Sequence, residues 1–428
     1  MRGFLLMISL LISMAAVAQP PDTLWTRTYG GGGPNEWYHA EPAHDGGYLL
    51  AGSKGVLFWV AKTDSAGALQ WSRTYGSGST DRGLFASEAS DGSVLTVGIG
   101  CLDQIHCGTW LTRTSSTGDS LDRRFLGLGV AETARRAVDR GFIIPGSIIA
   151  GGEYGWLLKI DSVGTVQWSR IYANINEENN CVSEVFGGGY ILGGKTQPGT
   201  GFLRMVSDSG VSVWRRAYPG AQYTHILGIV QTADSGFAFG GFTQPPFGNC
   251  ELYLQRVTGE GDSLWAHTYG ETTLESMADL IAAPGGGFLL GGFHADSSRA
   301  VAVRTDSLGN TLWLQTYARN GAAAFSCEMR TSDGGYLLGG QAGNDAYLVR
   351  LASEFVITPP IHVTAFSVSD EIELHWAEDG NPFYRIYSSL SADGSFTTLE
   401  GSTSSHEFTV PMSGDTAKFF TVVGWDGQ

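Results

Sequence analysis

The stretch Leu24-Trp25-Thr26-Arg27-Thr28-Tyr29-Gly30 decides the fold, because its pattern returns along most of the chain. Each full copy places a Trp four residues before a Tyr, and a degenerate copy at residues 121–125 fills the one gap in the series. Seven copies spaced 46 to 51 residues apart indicate an array of similar structural units. The other full copies occupy residues 71–75, 168–172, 214–218, 265–269 and 313–317.

Two further elements accompany this repeat. One reads Asp-Gly-Gly-Tyr-Leu-Leu-Ala-Gly at residues 45–52, and the other pairs an aromatic residue with a basic residue three places later, as in Trp59 and Lys62. One more extended stretch, such as residues 37–42, precedes each Gly-rich element. Strand-forming residues bounded by Gly, Asp and Ser turns predict four short strands per unit, named a, b, c and d, with the repeated Trp on strand d. Four short strands in about 48 residues are typical of a β-propeller blade, and an open solenoid is the alternative.

The two ends of the array distinguish a ring from a solenoid. The array opens with a lone d strand at residues 24–29 and closes with strands a, b and c at residues 325–351. The N-terminal strand is therefore predicted to complete the last blade, which removes an exposed sheet edge, whereas a solenoid requires capping repeats. We predict an all-β fold with a seven-bladed β-propeller over residues 22–352, closed by the N-terminal strand.

The repeated Trp residues are interpreted as structural. A Gly lies four residues before most of them, as in Gly67 and Trp71, and is expected to permit the tight turn between strands c and d. The indole is then expected to pack in the seam between blades. Loss of one such Trp from a buried seam is expected to cost about 3–5 kcal/mol.

The N-terminal segment suggests an exported protein, and the net charge limits the choice of partners. Residues 1–18 combine Arg2, a short apolar run and a small-residue site, so we expect a signal peptide cleaved after Ala18. The formal net charge of −16 makes nucleic acid a poor partner, and no later run is long enough to insert into a membrane. In an extracytoplasmic compartment, secreted or at the cell surface, Cys101 and Cys107 are candidates for a disulfide. We expect a monomer.

The strand-d pattern is similar to the Trp-docking repeats of quinoprotein propellers and of envelope-assembly propellers. The Asp-Gly-Gly-Tyr element resembles the repeats of exported bacterial β-propeller proteins. The resemblance covers residues 22–352 and implies architecture more than activity, because propellers carry many functions. It assigns no catalytic residue here, since the chain lacks the adjacent cysteines that accompany the quinoprotein cofactor.

Residues 357–428 resemble a fibronectin type III module, a small β-sandwich. Residues 372–376 alternate between apolar and polar and place Trp376 where that family has its core Trp. Residues 383–387 and 419–423 resemble later strands of the module. A seventh strand is expected but does not fit before Gln428, so the module is expected to be incomplete or the sequence truncated.

The sequence contains no recognisable catalytic motif and no repeated metal-ligand spacing among its nine His, so we expect no cofactor and no metal. Recognition is expected where the repeats differ, in the b–c and d–a loops that share one face of a propeller. We expect an exported, non-catalytic binding or structural protein that recognises an extracellular protein or glycan. The alternatives are a propeller enzyme, quinoprotein-like or acting on polysaccharide, and an envelope-assembly scaffold. The candidate binding residues are Glu36, Trp37, Arg82, Glu132, Glu178, His225 and Glu275.

Overall fold

The fold consists almost entirely of short antiparallel strands. A computed structural model of the chain describes the following residues: 20–76, 81–89, 91–101, 107–197, 199–219, 223–244, 250–269, 275–294, 298–318, 321–354, 363–368, 371–376, 383–389, 398–403, 405, 407–411 and 419–425. The proposed signal peptide, residues 1–18, lies outside this part of the chain. No helix in the part described has the length and apolar character needed to cross a membrane.

Seven sheets follow one another in chain order, and each is one blade. Blade 1 contains β2 (Asn35–Pro42), β3 (Tyr48–Lys54), β4 (Leu57–Thr63) and β5 (Leu69–Tyr75). Blade 2 contains β6 (Arg82–Glu88), β7 (Val94–Cys101), β8 (Cys107–Thr114) and β9 (Ser120–Gly127). Blade 3 contains β10 (Val130–Ala131), β11 (Arg135–Arg136), β12 (Phe142–Ile149), β13 (Glu153–Ile160) and β14 (Val166–Ile175). Blade 4 contains β15 (Glu177–Glu184), β16 (Tyr190–Thr196), β17 (Thr200–Val206) and β18 (Ser212–Tyr218).

The remaining blades repeat this pattern. Blade 5 contains β19 (Tyr223–Gln231), β20 (Phe237–Gln244), β21 (Glu251–Val257) and β22 (Ser263–Tyr269). Blade 6 contains β23 (Glu275–Ala282), a 3₁₀ turn (Pro284–Gly286), β24 (Phe288–His294), β25 (Arg299–Thr305) and β26 (Thr311–Tyr317). Blade 7 contains β1 (Thr23–Tyr29), β27 (Ala323–Arg330), β28 (Tyr336–Ala342) and β29 (Asp345–Leu351).

Blade 7 closes the ring with strands from both ends of the array. Strand β1 pairs antiparallel with β29, from Trp25 opposite Arg350 to Tyr29 opposite Ala346. The backbone N–H of Ala352 also donates to the carbonyl of Asp22, 2.9 Å away. The seven-bladed ring and its closure by the N-terminal strand, both predicted from the repeat count, are therefore confirmed.

In five of the six full repeats, a Trp and a Tyr on strand d hold the strand against the following blade. The Trp25 ring lies beside Gly67, whose φ of +77° gives the c–d turn of blade 1. A side chain at Gly67 would collide with this ring, so the glycine is needed for the blade contact as well as for the turn. The Tyr29 hydroxyl donates to the Gly67 carbonyl at 2.6 Å. The same hydrogen bond recurs in Tyr75–Gly118, Tyr172–Gly210, Tyr218–Gly261 and Tyr269–Gly309.

The Asp of the a–b hairpin and the basic residue of strand c form a repeated ion pair. Blade 4 lacks both partners and has Gly187 and Met205 in their places. Blade 6 has Gly285 instead of Asp, and there Arg304 pairs with Glu354, beyond the last blade strand, with Nε–Oε2 at 2.8 Å. The regular pairs are Lys62–Asp45, Arg113–Asp91, Lys159–Asp139, Arg256–Asp234 and Arg350–Asp333.

The C-terminal region forms two three-stranded sheets, in the orders β30-β31-β34 and β33-β32-β35. The three segments compared with fibronectin type III strands fall on β31, β32 and β35. Within the region, the side chains of Leu374 and Ile386 are fully buried. The strands are β30 (Val363–Val368), β31 (Glu371–Trp376), β32 (Phe383–Ser389), β33 (Thr398–Thr403), β34 (Glu407–Pro411) and β35 (Phe419–Trp425).

Candidate functional site

The d–a and b–c connections of the blades lie on one face, which we call the loop face. Trp37 was expected to be available on this face, but its indole is fully buried. The ring stacks on Trp59, with centroids 3.8 Å apart, and meets the edge of Tyr29. A bulge after Trp37 sets this orientation, because the register of β2 against β3 shifts between Trp37 and His39. Trp37 therefore belongs to the core, and Tyr38 takes the bulge position.

Glu36 and Arg82 both lie near this bulge: Glu36 precedes it in β2, and Arg82 of blade 2 lies beside Tyr38. The Glu36 carboxylate accepts a 2.5 Å hydrogen bond from Ser326 of blade 7, so it is engaged across the closing seam. The Arg82 guanidinium lies 5.8 Å from the Tyr38 ring centroid, within the range of a cation–π contact. Arg82 is exposed and thus accessible to a partner.

Glu178 contributes to a polar network that continues from blade 4 into blade 5. The Lys195 ammonium lies 3.3 Å from a Glu178 carboxylate oxygen and donates to the Tyr223 hydroxyl at 3.1 Å. Glu178 and Lys195 each keep about a sixth of their side-chain surface exposed, 17% and 18%. This pair is held more rigidly than a fully exposed ion pair and still reaches solvent.

Glu132 lies in blade 3 between Arg82 and this network. Burial raises the pKa of Glu132 to about 7, and the negative charge of Glu178 adds to the shift, while Lys195 and Arg82 oppose it. The Glu132 residue is nevertheless exposed to solvent. Water therefore still reaches the carboxyl, although its surroundings raise its pKa. The structure thus places three predicted residues, Arg82, Glu132 and Glu178, near enough for the charges of the other two to influence the pKa of Glu132. We call Arg82, Glu132, Glu178, Lys195 and Tyr223 the loop-face cluster.

His225 packs against the aromatic rings beside the cluster. Its ring lies 5.2 Å from the Phe242 centroid and 6.2 Å from that of Tyr223. Burial, with a smaller effect from the charge of Lys195, lowers the pKa of His225 to about 3. The neutral imidazole of His225 therefore supports the Tyr223 ring. It is not suited to direct contact with a charged partner.

Two further predicted features belong to the same face. Glu275 begins β23, and its backbone pairs with His294, but its side chain lies outside the described structure. Cys101 and Cys107 form a disulfide across the b–c hairpin of blade 2, with their Cα atoms 3.9 Å apart. The described residues contain no cluster of three or more His, Cys, Asp or Glu that is suited to a metal ion.

A second charged cluster, near the central channel, was not identified from the sequence. Arg135 of blade 3 donates to Asp279 of blade 6 at 3.1 Å, a contact across 144 residues of chain. Asp279 lies beside Glu328 of blade 7, and neither carboxylate oxygen of Glu328 has a hydrogen-bond partner among the described residues. Burial raises the pKa of Glu328 well above its ordinary value, and the charge of Asp279 adds to this effect. Because Asp279 is ion-paired with Arg135, we expect Glu328 to be the member of this pair that is protonated more readily.

The variant Glu328→Gln should stabilise the protein at pH 8 and have little effect near pH 4. A carboxyl with a raised pKa in the folded state contributes stability below its unfolded pKa, and this stability is lost as pH rises through the folded value. Gln does not ionise, so the variant should avoid that loss, which is about 1.4 kcal/mol for each pH unit between the unfolded pKa and the lower of pH 8 and the folded pKa. Denaturant unfolding at the two pH values measures the difference. A loss of stability at pH 8 would show that Glu328 is needed as a carboxylate.

The fold resembles that of solved β-propellers. The chain is similar to the WD40 domain of Pan2 from Neurospora crassa, with a TM-score of 0.54 and 10% identity over 79% of this chain and 97% of that one. It is also similar to YCF48 bound to a D1 peptide, with a TM-score of 0.51 and 11% identity over 78% of this chain and 100% of that one. No family model and no curated protein sequence matches the chain. At these identities the likeness shows the fold alone, a β-propeller, and the seven blades are those of the sheets described above.

Proposed function

We propose that this chain is an exported binding protein that recognises an extracellular protein or glycan through the loop face of its propeller. The observation that carries the proposal is the loop-face cluster, which brings opposite charges and an aromatic ring from blades 2, 3, 4 and 5 into one connected surface. Such a surface combines polar groups that orient a ligand with an aromatic face that can pack against it.

The neighbouring blades extend this surface. Tyr38 of blade 1 lies under Arg82 at one side, and Phe242 stacks on Tyr223 at the other, with centroids 5.8 Å apart. The YCF48 structure contains a bound peptide, which shows that a propeller of this fold can present a peptide-binding surface. We therefore favour a peptide segment of a protein partner over a glycan.

Export and surface location remain parts of the proposal. Residues 1–18 support export through their sequence, and the disulfide between Cys101 and Cys107 is consistent with an oxidising compartment. We further propose that β30 to β35 form a fibronectin type III-like β-sandwich that acts as a spacer. The two three-stranded sheets and the buried Leu374 and Ile386 support this role.

Reversing the charge of Lys195 should weaken partner binding at least tenfold. Lys195→Glu removes the cation that holds Glu178 and Tyr223, and it places a third carboxylate beside Glu132. Peptide and glycan arrays with the full chain identify the ligand class, and a binding titration with a selected ligand measures the loss. Arg73→Glu, on an exposed outer strand, is the control with the same change of charge.

The results also discriminate between binding and catalysis. Unchanged affinity in Lys195→Glu, or equal losses in both variants, would contradict a binding role for the loop-face cluster. The second candidate is a carboxylate enzyme, favoured by the raised pKa of Glu132 beside Glu178. Polysaccharide turnover that disappears in Glu132→Gln would replace the binding proposal with that one.

A further inference from the structure

A cavity of about 170 Å³ lies at the seam between blades 2 and 3. It is formed by a–b hairpins and a c–d turn, and therefore lies on the side of the ring opposite to the loop face. Three guanidinium groups line it, those of Arg113, Arg136 and Arg140, together with the hydroxyls of Ser87, Ser93 and Ser162. This concentration of arginine is notable in a chain with a net charge of −16.

The acidic residues that line the cavity are already engaged. Asp91 binds the Arg113 guanidinium at 2.5 Å. Glu88 accepts from Lys62 at 3.2 Å and from the backbone N–H of His44 at 2.8 Å. Each of these two carboxylates is thus already paired with a cationic side chain.

The arginines retain donors for another group. Arg136 donates to the hydroxyl of Ser87 at 2.9 Å and forms an ion pair with Glu41 at 3.5 Å through the same Nη1, which leaves its other N–H groups for a further acceptor. The Arg140 side chain is exposed, and within the described part of the chain it makes no hydrogen bond or ion pair. The cavity therefore holds one guanidinium with no partner among the described residues, that of Arg140, beside Arg113 and Arg136, which are ion-paired but keep further N–H groups.

A comparison with other seams shows why donors accumulate here. At three seams, the last residue of strand a supplies an acceptor to the backbone of the preceding blade's hairpin. These contacts are Glu88 with His44 N at 2.8 Å, Glu184 with Val138 N at 2.7 Å, and Gln231 with Phe186 N at 2.6 Å. At the seam between blades 2 and 3 the corresponding residue is Arg136, which has donors only; Arg330 has the same place at the seam between blades 6 and 7, so the cavity and Arg140 are what distinguish this seam. Those three seams have a side-chain acceptor at this position. The seam between blades 2 and 3 has a cationic donor there instead.

The backbone at Arg140 is also unusual. Arg140 has a φ of +65°, where the equivalent Gly46, Gly92 and Gly334 have φ values of +82°, +78° and +82°. A residue with a side chain is strained in this region by roughly 1 kcal/mol, so glycine is the ordinary choice. Strained residues of this kind often serve a ligand site. Ser235 of blade 5, with φ of +65°, offers the same backbone geometry away from the cavity.

We propose that this cavity binds an oxyanion, such as a sulfate, phosphate or carboxylate group. The oxyanion supplies the acceptor oxygens that Arg136 replaces, and Arg113, Arg136 and Arg140 donate to it from the cavity wall. Guanidinium groups suit this ligand because their paired N–H donors match the geometry of carboxylate, sulfate and phosphate oxygens. The site is separate from the loop-face cluster and does not depend on the function proposed for it.

The probe is inorganic sulfate, titrated into the full chain against chloride at constant ionic strength and followed by calorimetry. Wild type should bind one sulfate saturably, and Arg140→Gly should bind it at least tenfold more weakly. Ser235→Gly is the matched control, because it relieves the same backbone strain and leaves the cavity intact. Arg136→Glu restores the acidic residue found at the seam between blades 1 and 2, and it should abolish binding.

Parallel titrations with phosphate and glucuronate distinguish a free inorganic anion from a carboxylate-bearing sugar as the source of the oxyanion. Tighter binding of glucuronate assigns the site to an acidic sugar, and tighter binding of sulfate or phosphate assigns it to the inorganic ion. The proposal is overturned if none of the three binds saturably in wild type. It is also overturned if Ser235→Gly weakens binding as much as Arg140→Gly does.

Discussion

Trp37→Ala is expected to destabilise the propeller by about 3–5 kcal/mol, the range for removing a fully buried large aromatic side chain. The Trp37 indole packs against Trp59 of its own blade and Tyr29 of the closing strand. The same core cluster includes residues of β27, β28 and β29, so the ring lies in the seam where the two ends of the array meet. Its removal leaves a cavity that a rigid sheet contact cannot fill by collapse.

Because Tyr29 belongs to β1, the effect should reach the strand that closes the ring. Denaturant unfolding measures the loss of stability, and hydrogen exchange should show faster opening of the pairs between β1 and β29 than of other blades. Trp71→Ala is the matched control, since that indole is only partly buried and lies at the next seam. Equal losses in the two variants, with no preferential exchange in β1, would mean that Trp37 has no special role in closure.

The position of Trp37 shows where sequence reasoning succeeds and where it stops. The repeat spacing identified the strand and the blade of Trp37 correctly. The direction of the side chain depends on the bulge between Trp37 and His39, because one residue of shift turns a side chain to the opposite face of a strand. Nothing in the local composition marks that bulge, so Trp37 was assigned to the loop face and is instead in the core.

Contacts between distant repeats were also beyond prediction from a single sequence. Arg135 and Asp279 are in blades 3 and 6, and only the closed ring brings them to 3.1 Å. Gly67 was predicted to form a turn, but its contact with Trp25 and its hydrogen bond from Tyr29 depend on how neighbouring blades pack. Arg82, Glu132 and Glu178 could be selected together because they lie near equivalent starts of strand a, a property that the repeat itself defines.

The split of blade 7 between the two ends of the array explains the contacts of Glu354, which follows the last blade strand. In blades 1, 2, 4, 5 and 6, the c–d turn receives the Tyr of the blade before it, but in blade 7 strands c and d come from opposite ends of the array. Glu354 occupies this junction. It accepts from the Trp313 indole at 3.0 Å and binds Arg304 Nε with both oxygens, at 3.0 and 2.8 Å. Since blade 6 has no hairpin Asp, Glu354 is the carboxylate that Arg304 uses.

Glu354→Ala should therefore destabilise the propeller by about 3–5 kcal/mol, the cost of removing one partner from a buried ion pair. The Arg304 and Glu354 side chains are only 3% and 9% exposed, so water replaces the lost carboxylate poorly. Denaturant unfolding of the full chain measures the loss. Asp122→Ala, which breaks an exposed pair with Arg124, is the control and should cost less than about 1 kcal/mol.

The double variant Arg304→Met/Glu354→Ala tests whether the loss comes from an unpaired buried cation. Blade 4 already has Met205 at the position of Arg304 and Gly187 in place of the hairpin Asp, so this fold accommodates a blade without the pair. The double variant should recover more than half of the stability lost in Glu354→Ala, because no charge remains unpaired. If the losses of the two single variants simply add, the ion pair is not the cause, and the hydrogen bond from Trp313 becomes the principal contact of Glu354.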